Sequence, residues 1–212
     1  MKLKILIATT NPGKFSELQK FLSDLPYDLV SLSDVGISLN VDETGSTFEE
    51  NAILKAKTYA DLSGLPAIAD DGGFEIDALH GEPGVKSHRW ISGDKEDEDE
   101  DLIAYAIKRL KGVPVKNRGA QLRLVLAFAL PHGKVVTSEA SIRGIVAQKP
   151  SETRTHGFPY RALLYLPELG KFYDNSVLTE DETNHLNHRK KAIALLAPKI
   201  LQLLTSVADG IQ

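Results

Sequence analysis

Apolar and polar stretches alternate along the chain with the spacings of strands and helices. The first stretch, Leu3–Ala8, is mostly apolar and rich in branched side chains, which is typical of a buried strand. In the next, Lys14–Leu22, apolar residues recur every three or four positions, as on one face of a helix. The chain therefore opens with a strand, a polar turn and a helix.

The rest of the chain continues this pattern. It predicts three further helices, over Thr47–Leu62, Leu102–Leu110 and Thr179–Thr205, the last of them broken by Pro198. It also predicts strands over Leu65–Ala69, Gln121–Leu130, Lys134–Ile142 and Phe158–Leu166. The first of these strands is short and buried and ends on two aspartates. The two strands around Pro131–Gly133 form a hairpin by spacing, so we expect a mixed sheet. No repeat or linker interrupts residues 1–212, which favours one α/β domain with two lobes and a cleft.

Composition narrows the class of protein. The 212 residues are 42% apolar and 25% charged, which excludes a disordered or collagen-like chain. There is no cysteine, which excludes thiol nucleophiles, thiolate zinc sites and iron–sulfur clusters, and suits a cytoplasmic location. No apolar stretch approaches 18 residues and the start lacks a cleavage site, so we expect neither a membrane span nor a signal peptide.

The formal net charge of −4 has a local origin. Asp94–Asp101 holds seven carboxylates and one lysine, and without this run the chain has 24 basic and 22 acidic residues. Carboxylates at a helix start interact favourably with the helix dipole, so we interpret the run as a solvated helix start. A metal or partner site is the alternative.

The polar turn Thr9–Lys14 is the first candidate for chemistry. Amides at a helix N-terminus together with a lysine favour an anion such as phosphate, although neither a Walker A nor a GxGxxG pattern is present. The alternative is a plain connection in which Asn11 or Thr10 caps the helix.

Carboxylates form the second candidate. Glu49 and Glu50 begin a predicted helix, and Asp70 and Asp71 close a buried strand, where α/β folds open their clefts. Such oxygen ligands suit Mg²⁺. Two alternatives remain: Glu50 completes a capping box with Thr47, and consecutive strand residues point to opposite faces, so the two aspartates need not share a role.

Two further features could contact a nucleotide. Asn187–Lys191 is a basic helix start whose His and Arg could bind carbonyl or phosphate oxygens, or could be a solvated helix start. Trp90 could stack on a base or could pack in the core.

Five segments, in this order along the chain, resemble the Ham1-like nucleoside triphosphate pyrophosphatases, enzymes that remove inosine and xanthosine triphosphates. They are ATTNPGKFSEL, TFEENAILKAKTYA, LPAIADDGGFEIDALHGEPGVKS, THGFPY and LTEDETNHLNHRKKA. The matches cover nearly the whole chain, and the second and third are the most specific.

The resemblance implies an elongated mixed sheet between two lobes, usually in a homodimer, with Mg²⁺ and a nucleoside triphosphate in the cleft. It also implies individual roles: triphosphate binding by Thr9, Asn11, Lys14 and Lys55; metal binding by Glu50 and Asp71; general-base catalysis by Asp71, with Asp70 beside it; base stacking by Phe158 and Tyr160; and purine recognition by His188 and Arg189. The predicted reaction converts ITP, dITP or XTP to the monophosphate and pyrophosphate. Donors such as Arg189 would satisfy the O6 acceptor of these bases and meet another donor on adenine.

Four departures from the family's usual pattern lie in the substrate-binding segments. Gly72 and Asn187 each replace a serine, Thr183 replaces a lysine, and in the segment 157–162 Arg161 replaces an aspartate and Pro159 a glycine. Three of the four lie in the part that contacts the base. We therefore expect retained hydrolysis with an altered base preference.

Three alternatives to this function remain open. They are a nucleotide-binding member of the family with weak or lost activity, a hydrolase for another nucleotide class, and a nucleic-acid-binding protein. The last is disfavoured, because no basic stripe with interleaved aromatic residues is present.

Overall fold

The computed structural model describes residues 2–23, 26–174 and 176–209 of the chain. The helices are α1 (Pro12–Leu22), α2 (Phe48–Ser63), α3 (Asp99–Arg109), α4 (Glu180–Leu186) and α5 (His188–Asp209). The strands are β1 (Lys4–Ile7), β2 (Asp28–Ser31), β3 (Ala67–Ile76), β4 (Gly119–Ala129), β5 (Val135–Val146), β6 (Leu164–Leu166) and β7 (Lys171–Phe172). Within these residues, no helix has the length and apolar character needed to cross a membrane.

The strands form one seven-stranded sheet in the order β2-β1-β3-β4-β5-β6-β7. β1 runs parallel to both β2 and β3, with Leu6 opposite Val30 on one side and opposite Ala67 on the other. The pairs β5/β6 and β6/β7 are antiparallel. The sheet is therefore mixed, as the sequence predicts.

The chain divides into two compact units, each with its own hydrophobic core. Unit 1 comprises Met1–Asp71, Leu124–Ala140 and Arg189–Gln212, and unit 2 comprises Gly72–Arg123 and Ser141–His188. The core of unit 1 packs β1 and the middle of the sheet against α1 and α5, through residues such as Leu18, Phe128 and Leu196. The core of unit 2 packs α3 against residues such as Phe74, Ala120 and Val146 and against the segment around Tyr160.

Capping residues set where the first two helices begin and end. The Asn11 side chain accepts hydrogen bonds from the amides of Gly13 and Lys14 at the start of α1. α2 begins with the capping box that the sequence predicts between Thr47 and Glu50. It ends at Gly64 with φ +68°, a left-handed conformation that glycine adopts without a Cβ clash.

Three predicted boundaries are wrong. β3 does not end at Ala69 but runs through both aspartates to Ile76. The segment Phe158–Leu166 is a 3₁₀ turn over Pro159–Ala162 followed by a three-residue strand. The closing helix breaks at Asn187, whose ψ of 104° is not helical, and not at Pro198.

The apolar stripe of α5 explains why the helix continues through Pro198. Buried residues on both sides of the proline, including Ile193 and Ile200, pack into the same core. Their burial offsets the roughly 3 kcal/mol that an interior proline costs.

Candidate active site

The turn between β1 and α1 brings three of the predicted residues together. The Thr9 hydroxyl accepts from the amide of Asn11 at 3.2 Å, and the Asn11 side chain accepts from the amides of Gly13 and Lys14 at 2.9 and 3.1 Å. The structure thus contains the helix cap that was the alternative to a phosphate site. The Lys14 ammonium group, one-fifth exposed, extends from this turn to the carboxylate of Asp70 at 3.1 Å.

Asp70 lies in the middle of β3 and is almost fully buried, with two cations on one oxygen. Lys14 Nζ lies 3.1 Å and Arg189 Nη1 2.9 Å from its Oδ2. Burial by itself would raise the pKa of Asp70, but the charges of Lys14 and Arg189, with a smaller effect from Lys55, hold it far below its usual range. Asp70 is thus a fully ionised and fully compensated carboxylate.

Arg189 belongs to this ion-pair network in unit 1. Its Nε donates to Glu17 at 2.9 Å, its Nη1 donates to Asp70, and the residue is 4% exposed. The two carboxylates outweigh the effect of burial and raise its pKa. The prediction that Arg189 recognises the base is not supported by this position, because the guanidinium would have to leave a buried carboxylate pair to do so.

Asp71, the next residue of β3, has a different environment because strand alternation turns its side chain to the other face of the sheet. Its Oδ1 lies 3.2 Å from Lys55 Nζ, and its Oδ2 accepts from Asn51 Nδ2 at 3.2 Å. Burial raises the pKa of Asp71 to about 6; the Lys55 charge opposes the rise, and the nearby Glu43 adds to it. Asp71 is therefore a carboxylate that can exchange a proton near neutral pH.

Lys55 connects Asp71 to the loop before α2. Its ammonium group contacts Glu43 Oε1 at 2.6 Å and Asp71 Oδ1 at 3.2 Å, and the side chain is 13% exposed. Burial would lower the pKa of Lys55, but the charges of Asp71, Asp70 and Glu43 raise it. Lys55 thus stays charged between two carboxylates.

Glu50 occupies the capping position and is exposed. Its Oε2 accepts from the Ser46 amide and hydroxyl, both at 2.7 Å, and from the Thr47 amide at 3.2 Å, and the Ser46 hydrogen bonds lower its pKa. Oε1 takes no part in these capping bonds.

No group of three or more His, Cys, Asp or Glu residues in the described part of the chain is arranged around a common metal position. Mg²⁺ does not require such a cage, since one or two carboxylates and the substrate phosphates are its usual ligands. The ion pairs around Asp70 and Asp71 contain three cations and four carboxylates. The cations are Lys14, Lys55 and Arg189, and the carboxylates are Glu17, Glu43, Asp70 and Asp71. This excess of negative charge, with the raised pKa of Asp71, fits a divalent cation by donor chemistry.

Three residues of this cluster were not identified from the sequence. Asn51 is fully buried, donates to Asp71, and accepts from the Gly45 amide at 2.7 Å. Glu43 contacts Lys55, and Glu17 contacts Arg189. A signal existed for two of them: Asn51 is a polar residue on the apolar face of α2, and Glu17 lies one helical turn after Lys14.

Apart from Arg189, the residues expected to contact the base lie in unit 2. Phe158 is half-buried, and the Arg161 guanidinium lies over its ring, 4.1 Å from the centroid. Tyr160 is 3% exposed, stacks on Phe74 at 4.7 Å and donates to the Ser87 carbonyl at 2.6 Å. The ring of Tyr160 is thus part of the core in this structure, and its role in base stacking stays a prediction.

Gly72, the other unit 2 position assigned to substrate, is half-buried within β3. The glycine after it, Gly73, has a clear packing reason, since a Cβ there would lie 2.6 Å from the Gly84 carbonyl oxygen and closer still to the Ser87 hydroxyl. Ser87 uses that hydroxyl to accept from the Phe74 amide at 2.8 Å.

His188 is buried and its imidazole contacts Tyr173, with 3.0 Å between Nδ1 and the phenolic oxygen. Trp90 packs edge-on against Tyr105 and donates to Glu82, which matches its packing interpretation.

The acidic run provides the start of α3, as predicted. Asp99, Glu100 and Asp101 form the first turn of that helix. Asp97 accepts from the amides of Ile91 and Ser92, and Asp99 accepts from the amide of Gly157. These carboxylates thus cap backbone segments of unit 2.

Comparisons with known proteins relate nearly the whole chain to one family. A model of the Ham1 family matches residues 5–199. The dITP/XTP pyrophosphatase of Yersinia pseudotuberculosis is 40% identical over 196 residues, which cover 91% of this chain and 95% of the relative. The Ham1 protein structure from Coxiella burnetii has a TM-score of 0.82 and 30% identity, covering 94% and 99% of the two chains. That of Staphylococcus aureus Ham1 has a TM-score of 0.78 and 32% identity, covering 94% and 98%.

Proposed function

Since the chain belongs to the Ham1 family, we propose that it hydrolyses the non-canonical purine nucleoside triphosphates ITP, dITP and XTP to the monophosphate and pyrophosphate. The relative named dITP/XTP pyrophosphatase, which aligns over nearly the whole of both chains, supports this reaction. The observation that carries the proposal is the contrast between two adjacent aspartates. Asp70 is neutralised by two cations, whereas Asp71 has a pKa raised to about 6.

Asp71 is the general base in this proposal. A base with a pKa near the working pH accepts a proton efficiently and typically contributes about 10²–10⁴-fold to the rate. Its carboxylate takes a proton from water as the water oxygen attacks the α-phosphorus. The bond between the α-phosphorus and its bridging oxygen breaks, and pyrophosphate leaves. Asn51 and Lys55 hold the Asp71 carboxylate in place through its two oxygens.

Positive charge for the triphosphate comes from lysines and a metal ion. Lys14 and Lys55 contact carboxylates here, and their ammonium groups would neutralise phosphate oxygens in the complex. Asp71 and Glu50 would hold Mg²⁺, which neutralises charge on the phosphates when it is bound. The roles of Thr9 and Asn11 in this proposal are to keep the turn that carries Lys14 in shape through the helix cap.

Base recognition is assigned to unit 2. Phe158 offers an aromatic ring and His188 a hydrogen-bonding imidazole, whereas Tyr160 and Arg189 are buried and hydrogen-bonded within the protein. Arg161 is buried, and its guanidinium group packs over the Phe158 ring. We therefore expect a base preference that differs from the family's usual one, with Arg161 and Thr183 as the cause.

The assay is pyrophosphate release with Mg²⁺ from a panel of ITP, dITP, XTP, GTP, ATP and dUTP. We expect turnover of ITP or XTP, its loss on chelation of the metal with EDTA, and a fall of about 10²–10⁴-fold in kcat for Asp71→Asn. Asp61→Asn is the matched control; Asp61 is an exposed acid of unit 1 that accepts from the His132 amide. Tight nucleotide binding without turnover would show that the chain is a binding protein. An unaltered strong preference for ITP and XTP would refute the role given to Arg161 and Thr183.

Two properties of the assembly belong to the same proposal. The resemblance supports a homodimer, which size-exclusion chromatography with light scattering would test. An enzyme that acts on the nucleotide pool is expected in the cytoplasm, and the absence of cysteine suits that compartment.

A further inference from the structure

Two consecutive residues after β7 interact with His188 and with Arg161, the residue that lies over Phe158. Tyr173 and Asp174 are each 2% exposed, although they belong to a short connection between a strand and α4. The Tyr173 side chain contacts His188, and the Asp174 side chain interacts with Arg161, which lies over Phe158. All five residues belong to unit 2. Nothing in the sequence pattern marks Tyr173 or Asp174 as functional.

The contact between Tyr173 and His188 has a preferred direction. The phenolic oxygen lies 3.0 Å from Nδ1, and the two rings are 5.7 Å apart at an angle of 56°. A phenol is a stronger acid than a neutral imidazole N–H, and an imidazole nitrogen is a good acceptor, so the hydroxyl donates to Nδ1. The imidazole proton then resides on Nε2. His188 is thereby fixed as a donor at Nε2, the polarity that a carbonyl oxygen on a base requires.

Asp174 provides the charge that a buried Arg161 needs. Its carboxylate accepts from the Thr155 hydroxyl at 2.8 Å and from the amide and hydroxyl of Ser176. Burial would raise the pKa of Asp174, but the Ser176 and Thr155 hydrogen bonds and the Arg161 charge lower it, so the carboxylate is ionised. An ionised Asp174 offsets the cost of burying the Arg161 guanidinium, which covers one face of the Phe158 ring.

We propose that Tyr173 and Asp174 form a positioning element for base recognition, in which Tyr173 fixes His188 as an Nε2–H donor and Asp174 holds Arg161 against Phe158. The element favours purines that carry a carbonyl oxygen at position 6 over adenine. This inference rests on the proposed function, because it takes from there the assignment of His188 and Phe158 to the base.

The first test is Tyr173→Phe, which removes one hydroxyl and keeps the ring. The ratio of kcat/KM for ITP to that for ATP should fall about tenfold, the effect of about one hydrogen bond, with kcat for ITP little changed. Nitrogen-15 NMR of the histidine side chains should show His188 changing from a single Nε2–H tautomer to a mixture. Tyr165→Phe is the control, since Tyr165 packs edge-on against Phe172 in the same unit; it should alter neither measurement.

The second test is Asp174→Asn, which removes the charge facing Arg161. We expect KM to rise about fivefold or more for every purine triphosphate with kcat nearly unchanged, because the Phe158 ring loses its fixed support. Adding Arg161→Met should recover part of the loss, since the buried cation that acts on Asp174 is then removed together with the carboxylate charge. If the variant instead failed to fold, kcat would fall as KM rises, and adding Arg161→Met would restore neither.

The outcomes separate this proposal from the proposed function. If the wild type releases no pyrophosphate, the proposed function fails, and the positioning element is tested by the His188 tautomer and by calorimetric affinities for ITP and ATP. A single, unchanged tautomer in Tyr173→Phe with an unchanged ITP to ATP ratio would overturn the role of Tyr173. An unchanged KM or affinity in Asp174→Asn would overturn that of Asp174.

Discussion

Replacing Asp70 by asparagine tests whether the ion-pair network of unit 1 is a principal source of its stability. The substitution keeps the size and the hydrogen-bonding oxygen of the side chain but removes its charge. Lys14, one-fifth exposed, can turn toward solvent. Arg189 cannot turn toward solvent, because its side chain is only 5% exposed. Of the two carboxylates that it contacts in the wild type, only Glu17 remains in the variant.

The size of the effect follows from that unpaired charge. Removing one partner of a buried ion pair costs about 3–5 kcal/mol, and the remaining Glu17 contact and the Asn oxygen place Asp70→Asn at about 3 kcal/mol. Because the folded pKa of Asp70 lies below its usual value of 3.8, its contribution is fully present above pH 4 and is lost as the pH falls through the lowered pKa. The difference between wild type and variant should therefore be the same at pH 8 and pH 5.

Urea denaturation followed by circular dichroism, in metal-free buffer, measures the free energy of unfolding. Asp77→Asn is the matched control, since it removes the same charge from a pair with Arg143 in which both side chains are more than half exposed. Such a pair is worth less than about 1 kcal/mol. A loss for Asp70→Asn no larger than that of the control would refute the reasoning. So would a double variant with Arg189→Met that loses the sum of the two single effects, because residues in one network should be coupled.

Two further predictions concern β3. The raised pKa of Asp71 means that the contribution of this residue to stability is fully present below pH 3.8 and is lost as the pH rises through about 6. In metal-free buffer Asp71→Asn should remove this part of the pH dependence, worth about 3 kcal/mol, and a pH profile that matches wild type would contradict the raised pKa. Gly73→Ala should lower stability by about 1–3 kcal/mol, because its Cβ would lie 2.6 Å from the Gly84 carbonyl oxygen, and a thermal midpoint equal to that of wild type would contradict this contact.

Local sequence signals predicted most of the fold. The cap at Asn11, the capping box at Thr47 and the hairpin around Pro131–Gly133 each involve residues close in the chain, and each is present. The failures depend on distant contacts. β3 continues through two aspartates and two glycines, which lack strand propensity, because charges from distant helices and the turn at Gly84–Ser87 stabilise that stretch.

In the candidate site, too, the sequence predicts which residues belong to the site but not the contacts that distant parts of the chain make with them. Asp71, the proposed general base, and Lys55 are both predicted from the resemblance, and the structure places Lys55 Nζ 3.2 Å from Asp71 Oδ1. Tyr160 and Arg189 were assigned to the base by the same route, yet both are buried in contacts that sequence spacing cannot show. The position of a residue in a motif predicts that it belongs to the site. Burial in the folded chain, which the motif does not show, determines whether its side chain is exposed to a ligand.

The different chemistry of two adjacent, identical residues arises from strand alternation. β3 turns Asp70 toward the side where α1 and α5 supply Lys14 and Arg189, so that this carboxylate receives two cations. Asp71 points the other way, where α2 supplies one cation, Lys55, which it shares with a second carboxylate. The number of cations per carboxylate on each face, and not any property of aspartate itself, therefore makes one residue a fixed anion and leaves its neighbour able to accept a proton.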